Sequence, residues 1–159
     1  MIRWLTMSAA TLGRGIGNGD IDPVALAQAY LDAIDKHIFS DRIYTTVTHE
    51  RALAEAACAS ERAKLGQRKS ALDGVPVSWK DLFDTVDVAT EAGSLLLKGR
   101  VPTADCEVMR TATALGLVCL GKTHMSELAF SGLGHNPSTA TSPCVNNHAA
   151  VAGGSSSGA

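Results

Sequence analysis

GVPVSWKDLFD, Gly74 to Asp84, is the stretch on which the reading of the fold turns. Val75 to Trp79 is a short apolar run, bounded by Gly74 on one side and the charged pair Lys80-Asp81 on the other. That pattern predicts a strand whose C-terminal end carries a lysine. Downstream, Asp105 is placed to cap a helix in which Val108, Ala112 and Leu115 share a face, and Gly116 closes it. The apolar run Leu117 to Leu120 follows as a second strand. Strand, connection, helix, strand predicts an α/β layered fold with strands paired partly in parallel.

Upstream, residues 67–73 are polar and read as a loop. Asp22 followed by Pro23 is a helix start, because an Asp carboxylate caps free amides and proline fits the first helical position. Val24, Ala27, Tyr30, Leu31 and Ile34 then recur at helical spacing, predicting an amphipathic helix to about His37. A second helix is predicted from Thr48 to Leu65, with Ala52, Ala56, Ala59 and Ala63 as a small-residue row that admits close approach, and Gly66 ending it. Glycines 13, 15, 17 and 19 read as a turn-rich segment. From Ser131 to Ala159 the chain is dominated by Gly, Ser, Thr, Asn and Pro, and is expected to be mostly irregular backbone of the kind that holds sites.

The 159 residues are 45% hydrophobic and 19% charged, ordinary globular composition for one domain or part of one. Fourteen basic against sixteen acidic residues leave a formal charge of -2, so no global field favours nucleic acid or an anionic membrane. No apolar run approaches the roughly 20 residues a membrane-spanning helix needs, and the opening lacks the apolar core of a secretory signal, so a cytoplasmic protein is expected. Cys58, Cys106, Cys119 and Cys144 form no CxxC pair and the five histidines no HExxH pattern. Buried, reduced thiols and no metal site are the expectation.

Two short motifs suggest other chemistry. GLVCLGKT, Gly116 to Thr123, matches the phosphate-loop pattern letter for letter. A phosphate loop needs its central residues as open backbone around anions, whereas Leu117 to Leu120 suits a buried strand. The terminal Gly153 to Ala159, GGSSSGA, admits three readings. By composition it is a flexible linker or an expression scar. Gly154 to Gly158 also satisfies GxSxG, which would make Ser156 a nucleophile on a strand-to-helix elbow, although Asn146 to Ala150 is a poor preceding strand.

The third reading comes from resemblance. GVPVSWKDLFD, the AGS at Ala92 to Ser94, GKTHMSELAFSGLGHNP at Gly121 to Pro137 and GGSSSGA occur in the order and approximate spacing of the amidase-signature family. The chain resembles that family from about residue 20 to its end, and the ordered set carries the likeness. Members include bacterial amidases and the glutamine-hydrolysing A subunits of aminoacyl-tRNA amidotransferases. The resemblance implies the N-terminal portion of a mixed β-sheet flanked by helices, with residues 1–159 as the first part of a single domain. Within it, 1–19 is an N-terminal segment, 20–66 is helical, and 67–159 is a strand and helix core carrying the lysine and serine loops.

It further implies hydrolysis of a carboxamide C–N bond by a serine nucleophile, a second serine on a cis peptide bond, and a lysine. Carried over by motif, Lys80 is the lysine and Ser155 the cis serine, and Phe130, Ser131 and Gly132 border the acyl pocket. The nucleophile belongs to a later glycine-rich segment, so this chain is expected to be a fragment lacking it and inactive alone. No cofactor and no metal are implied. The partners implied are a small-molecule amide, with no direct nucleic-acid contact, and in the parent protein a homodimer or amidotransferase subunits. The alternatives are the glutamine-hydrolysing component of a tRNA-dependent amidotransferase and an inactive truncated remnant.

The lysine's part can also be argued physically. To accept a proton at neutral pH it must fall from about 10.4 by about 3.4 units, on the order of 4–5 kcal/mol. Burial at the end of an apolar strand works in that direction, because desolvation disfavours the ammonium. A serine hydroxyl both donates and accepts, as a relay must. Without the resemblance, Lys80 reads as a surface lysine paired with Asp81 or Asp84. The chain departs from the family where His124 replaces a common Asn, where Ala152 replaces a common Pro, and in Pro143 to Ala150.

Overall fold

The computed structural model describes residues 2–159, which group into two units. The first comprises the residues up to Lys36, Thr48–Val77 and Arg110–Leu120; the second comprises His37–Val47, Ser78–Met109 and Gly121–Ala159. Helices α1 (Ala9–Gly17), α2 (Pro23–Lys36), α3 (Ser40–Ile43), α4 (His49–Lys64) and α5 (Glu107–Ala114) alternate with strands β1 (Tyr44–Val47), β2 (Pro76–Lys80) and β3 (Val118–Thr123). A hairpin of β4 (Pro143–Cys144) and β5 (Asn147–Val151) follows.

In the first unit, α2 starts where the Asp22 carboxylate accepts from the Ala25 N–H at 3.0 Å, with Pro23 at its first position. It packs on α4 through the predicted alanine row, in which Ala52, Ala56 and Ala59 are buried. Leu12, Ile16, Ile21, Leu26 and Val75 make the adjoining apolar core, with Trp4, Met7 and Tyr30 against it. The Asp73 carboxylate accepts two bonds from Arg62, at 2.6 and 2.9 Å, and one from the Lys69 N–H at 2.8 Å. These bonds outweigh burial and hold Asp73 below the usual carboxylate range.

Strand order is β1-β3-β2. Val118 N–H donates to Val75 O and Asp81 N–H to Thr123 O, each at 3.0 Å, so the two strands ascend together and β2 and β3 are parallel. β1 runs antiparallel to β3, with Tyr44 opposite Thr123 and Val47 opposite Gly121. The sheet is therefore mixed, as the sequence pattern predicts.

Five local expectations are corrected. The glycines at 13, 15 and 17 lie inside α1, capped by Ser8, whose hydroxyl accepts from the Thr11 N–H at 3.2 Å. They are close-approach positions: a Cβ at Gly13 would collide with the carbonyl oxygen of Ala71, and one at Gly15 would sit 2.6 Å from the Ile21 side chain. Asn147–Val151 is a strand despite its polar start, because β4 supplies hairpin partners for its backbone. In α5 the buried residue is Met109, while Val108, and Leu115 just beyond the helix, are exposed. Asp105 turns to the Val86 N–H at 2.8 Å, and α5 begins at Glu107. The cysteines are free, and Cys58 is exposed while Cys119 is buried.

Candidate active site

Lys80 is the last residue of β2, and its Nζ lies 2.6 Å from the Ser155 hydroxyl oxygen. Burial lowers the lysine's affinity for its proton, and no carboxylate counters it. The Gly154–Ser155 peptide bond is cis. The loop that carries it is pinned on several sides: Ser155 O accepts from the Ser126 N–H at 3.0 Å, Gly154 N–H donates to Gly132 O at 2.9 Å, and Gly158 N–H donates to His124 O at 2.9 Å. Leu133 and Gly153 form an isolated antiparallel bridge.

Of the residues placed beside the acyl pocket by motif, Gly132 touches the serine loop through its carbonyl. Ser131 accepts from the Ser126 hydroxyl at 3.4 Å through its own carbonyl. Phe130 is 92% exposed. Ser156 is exposed, and it is Ser155, one residue earlier, whose hydroxyl meets Lys80. The phosphate-loop match is likewise structural: Val118 to Thr123 are all buried strand residues.

The carboxylates that sequence set beside Lys80 are committed elsewhere. Asp84 receives two bonds from Arg100, at 2.6 and 2.7 Å. Asp81, 2% exposed, faces Lys122, whose Nζ is 3.2 Å from one carboxylate oxygen. The other oxygen accepts from the Glu91 N–H at 3.1 Å. Burial pushes the Asp81 carboxyl up, and Lys122 pulls it back.

Sequence reasoning missed Lys122, although a lysine two residues past an apolar strand run is a signal, since a fully buried ammonium must find a partner. It also missed Asn136. This buried amide donates to Gly93 O and Met125 O at 2.8 Å each and accepts from the N–H groups of Ser138 and Thr139. It thereby ties the AGS segment to the chain leading into Ser126 and Glu127. His124 is buried with its Nε2 3.2 Å from Asp41 O, and burial lowers its pKa.

Among the described residues, no group of three or more His, Cys, Asp or Glu side chains is placed to hold a metal ion. Among the described residues, no helix is long and apolar enough to cross a membrane.

A mixed sheet whose strand-end lysine meets a serine on a cis peptide bond defines a class, and sequence comparison agrees with it. The amidase family profile matches residues 25–159, and the chain belongs to that family. It is 38% identical over 148 residues to the A subunit of glutamyl-tRNA(Gln) amidotransferase from Anaeromyxobacter dehalogenans (strain 2CP-C), covering 92% of this chain and 30% of that protein. Against the native peptide amidase from Stenotrophomonas maltophilia the TM-score is 0.77 at 30% identity, covering 98% of this chain and 33% of the other. A chain from a vestigial protein complex, described for the evolutionary origins of an s-triazine catabolic enzyme, gives 0.90 at 29% identity, covering 96% and 34%. The chain thus spans about a third of the length of these relatives.

Proposed function

We propose that this chain supplies the base and the relay of an amide-hydrolysing site, Lys80 and Ser155, and that a serine outside residues 1–159 is the nucleophile. The observation that carries the reading is the 2.6 Å contact between the two side chains, made by a lysine whose burial favours the neutral amine. Turning about the Cε–Nζ bond exchanges an N–H donor for the lone pair without moving a heavy atom, so the amine can take the Ser155 proton. The Ser155 oxygen then takes a proton from the nucleophile, which attacks the carboxamide carbon. Backbone N–H groups beside the nucleophile would stabilise the oxyanion, and the returning proton would leave with the amine.

The substrate class proposed is a small carboxamide, with no metal or organic cofactor. Phe130, Ser131 and Gly132 are proposed to border its acyl group, a reading favoured by the Gly132 contact to the serine loop. The second reading is a glutamine-hydrolysing subunit working with partner subunits and a tRNA-linked acceptor. It is favoured by the amidotransferase relatives at 31–39% identity.

The test is chemical. Competitive acetylation of the purified chain across pH should show Lys80 reacting as an amine of lowered pKa beside ordinary surface lysines. An ordinary titration at Lys80 would remove the base. Ammonia release from glutamine, but not from simple amides, by a polypeptide that also carries the nucleophile would select the second reading.

A further inference from the structure

Three residues in the segments bound to the serine loop take up left-handed backbone without being glycine: Ala92 at φ +50°, Leu128 at +49° and Ala129 at +60°. L-residues avoid that region and persist in it where surrounding contacts over-determine the chain. Those contacts are specific here. The Leu128 N–H donates to Ala92 O at 2.9 Å. The buried Asn136 amide nitrogen bridges Gly93 O and Met125 O, and a Cβ on Gly93 would lie 2.7 Å from that nitrogen, so only glycine fits. Ser94 is 1% exposed, and its hydroxyl donates to the Glu127 carboxylate at 2.7 Å. Ser126 is thereby bracketed, with the carbonyl before it held by Asn136 and the side chain after it held by Ser94. Ser126 in turn holds the serine loop: its N–H donates to Ser155 O at 3.0 Å and its hydroxyl to Ser131 O at 3.4 Å.

We propose that Ser94 and Glu127 are positioning residues for Lys80 and Ser155: their hydrogen bond fixes the left-handed turn after Ser126, so that the Ser126 N–H holds the Ser155 carbonyl and keeps the Ser155 hydroxyl at the lysine. The inference rests on the reading of Lys80 as base and Ser155 as relay. Its path is a run of direct links: Ser94 Oγ to Glu127, Glu127 by one peptide bond to Ser126, Ser126 N–H to Ser155 O, and Ser155 Oγ to Lys80 Nζ. A relay oxygen must be held to within roughly 0.5 Å of its working place, which a loop does only when its neighbours are themselves locked. A hydroxyl donating to a carboxylate is a strong bond of the kind that locks them. Ser94 has a second use, because it accepts from the Leu96 N–H at 3.2 Å and caps the short turn Leu95–Leu97. Glu127 takes no part in that cap, so substitutions at the two residues separate capping from positioning.

The test combines site-resolved amide exchange with titration of the Lys80 amine by side-chain NMR. The full chain is prepared as wild type, Ser94→Ala, Glu127→Ala, Glu127→Gln and the double alanine variant. Each single alanine variant should speed exchange of the Ser126 N–H by roughly five- to tenfold, the size of one lost hydrogen bond. The double variant should add little, because both substitutions remove the same bond. The Cys106 N–H, bonded to Asp84 O in the same unit, should keep its wild-type rate. Burial is what lowers Lys80, so a loosened serine loop admits water and should move its midpoint up toward the ordinary value. Glu127→Gln removes the charge but keeps an acceptor for Ser94, and should match wild type in both readouts. Unchanged Ser126 exchange in Glu127→Ala, a faster rate shared by Cys106, an unmoved Lys80 midpoint, or a Gln variant that behaves like the Ala variant would each overturn the proposal. If Ser94→Ala does not fold, the exposed Glu127 decides alone through its two variants. A wild-type Lys80 that titrates as an ordinary surface lysine refutes the base reading itself, whereas a low midpoint that no variant moves refutes only the positioning role.

Discussion

Lys80 and Ser155 stand 75 positions apart in the chain, and their side chains meet at 2.6 Å. The contact joins the end of β2 to a loop held by Ser126, Gly132 and His124, so its geometry is set by backbone bonds on both sides.

In a polypeptide that carries the nucleophile as well, Lys80→Ala should lower turnover by about two to four orders of magnitude with the fold retained, the usual size of a lost general base. Lys80→Arg should not rescue it, since a guanidinium does not deprotonate near neutrality. Ammonia release and far-ultraviolet circular dichroism on the same samples check both halves.

Residues 1–159 by themselves should release no ammonia from simple amides or glutamine, because a base and a relay without a nucleophile form no acyl-enzyme. The assay is run with wild type and Ser156→Ala. Robust turnover lost in that variant would restore Ser156 as a nucleophile and sink the present assignment.

Lys80 should leave a signature in the pH dependence of stability. Its folded-state pKa is lowered by burial, so the unfolded chain binds the proton more tightly and stability rises with pH between the folded value and the unfolded one near ~10.4. Below that window the burial of the charged amine is carried in full. Urea unfolding of wild type and Lys80→Met should therefore show the variant's advantage shrinking as pH rises through the window. An advantage that stays constant with pH would mean that the amine is not depressed.

Gly116→Ala should destabilise the first unit by about 2–4 kcal/mol, combining a disfavoured backbone region with overpacking. Gly116 has φ +90°, and a Cβ there would collide with the carboxylate of Asp73, which is already held by Arg62. The urea midpoint reports it, and a variant as stable as wild type would show that the α5 exit relaxes freely.

Asn136→Ala should cost on the order of 3 kcal/mol, because it strands the buried carbonyls of Gly93 and Met125. Asn136→Asp should also be destabilising, since a carboxylate cannot donate to those two oxygens. Chemical denaturation of both variants separates lost donors from lost volume.

Much of the local structure was legible in the chain. Asp22-Pro23, the alanine row of α4 and the apolar runs of β2 and β3 each carry their signal within a few residues, because capping, helical periodicity and strand bounding are short-range effects. The failures are equally physical. Glycines 13, 15 and 17 suggest a turn by propensity, and the helix they form is stabilised by packing that only glycine permits at Ala71 and Ile21. Val108 and Leu115 fit an apolar face by spacing, yet Met109 is the residue that is buried.

The candidate site divides in the same way. The ordered motifs picked out Lys80 and Ser155, since motif order survives in sequence, and they sufficed for the family. Which cation each carboxylate takes could not be read from the chain: Asp81 and Asp84 lie one and four residues from Lys80, and pair with Lys122 and Arg100 instead. Ion pairing depends on distances through space and on desolvation, and both are settled only when parallel strands and loops bring distant segments together. The sequence by itself determined α2, α4, β2, β3 and the residue types; the tertiary structure alone decided that Lys80 would face a hydroxyl and Lys122 a carboxylate, because burial leaves each amine only the partner within its reach.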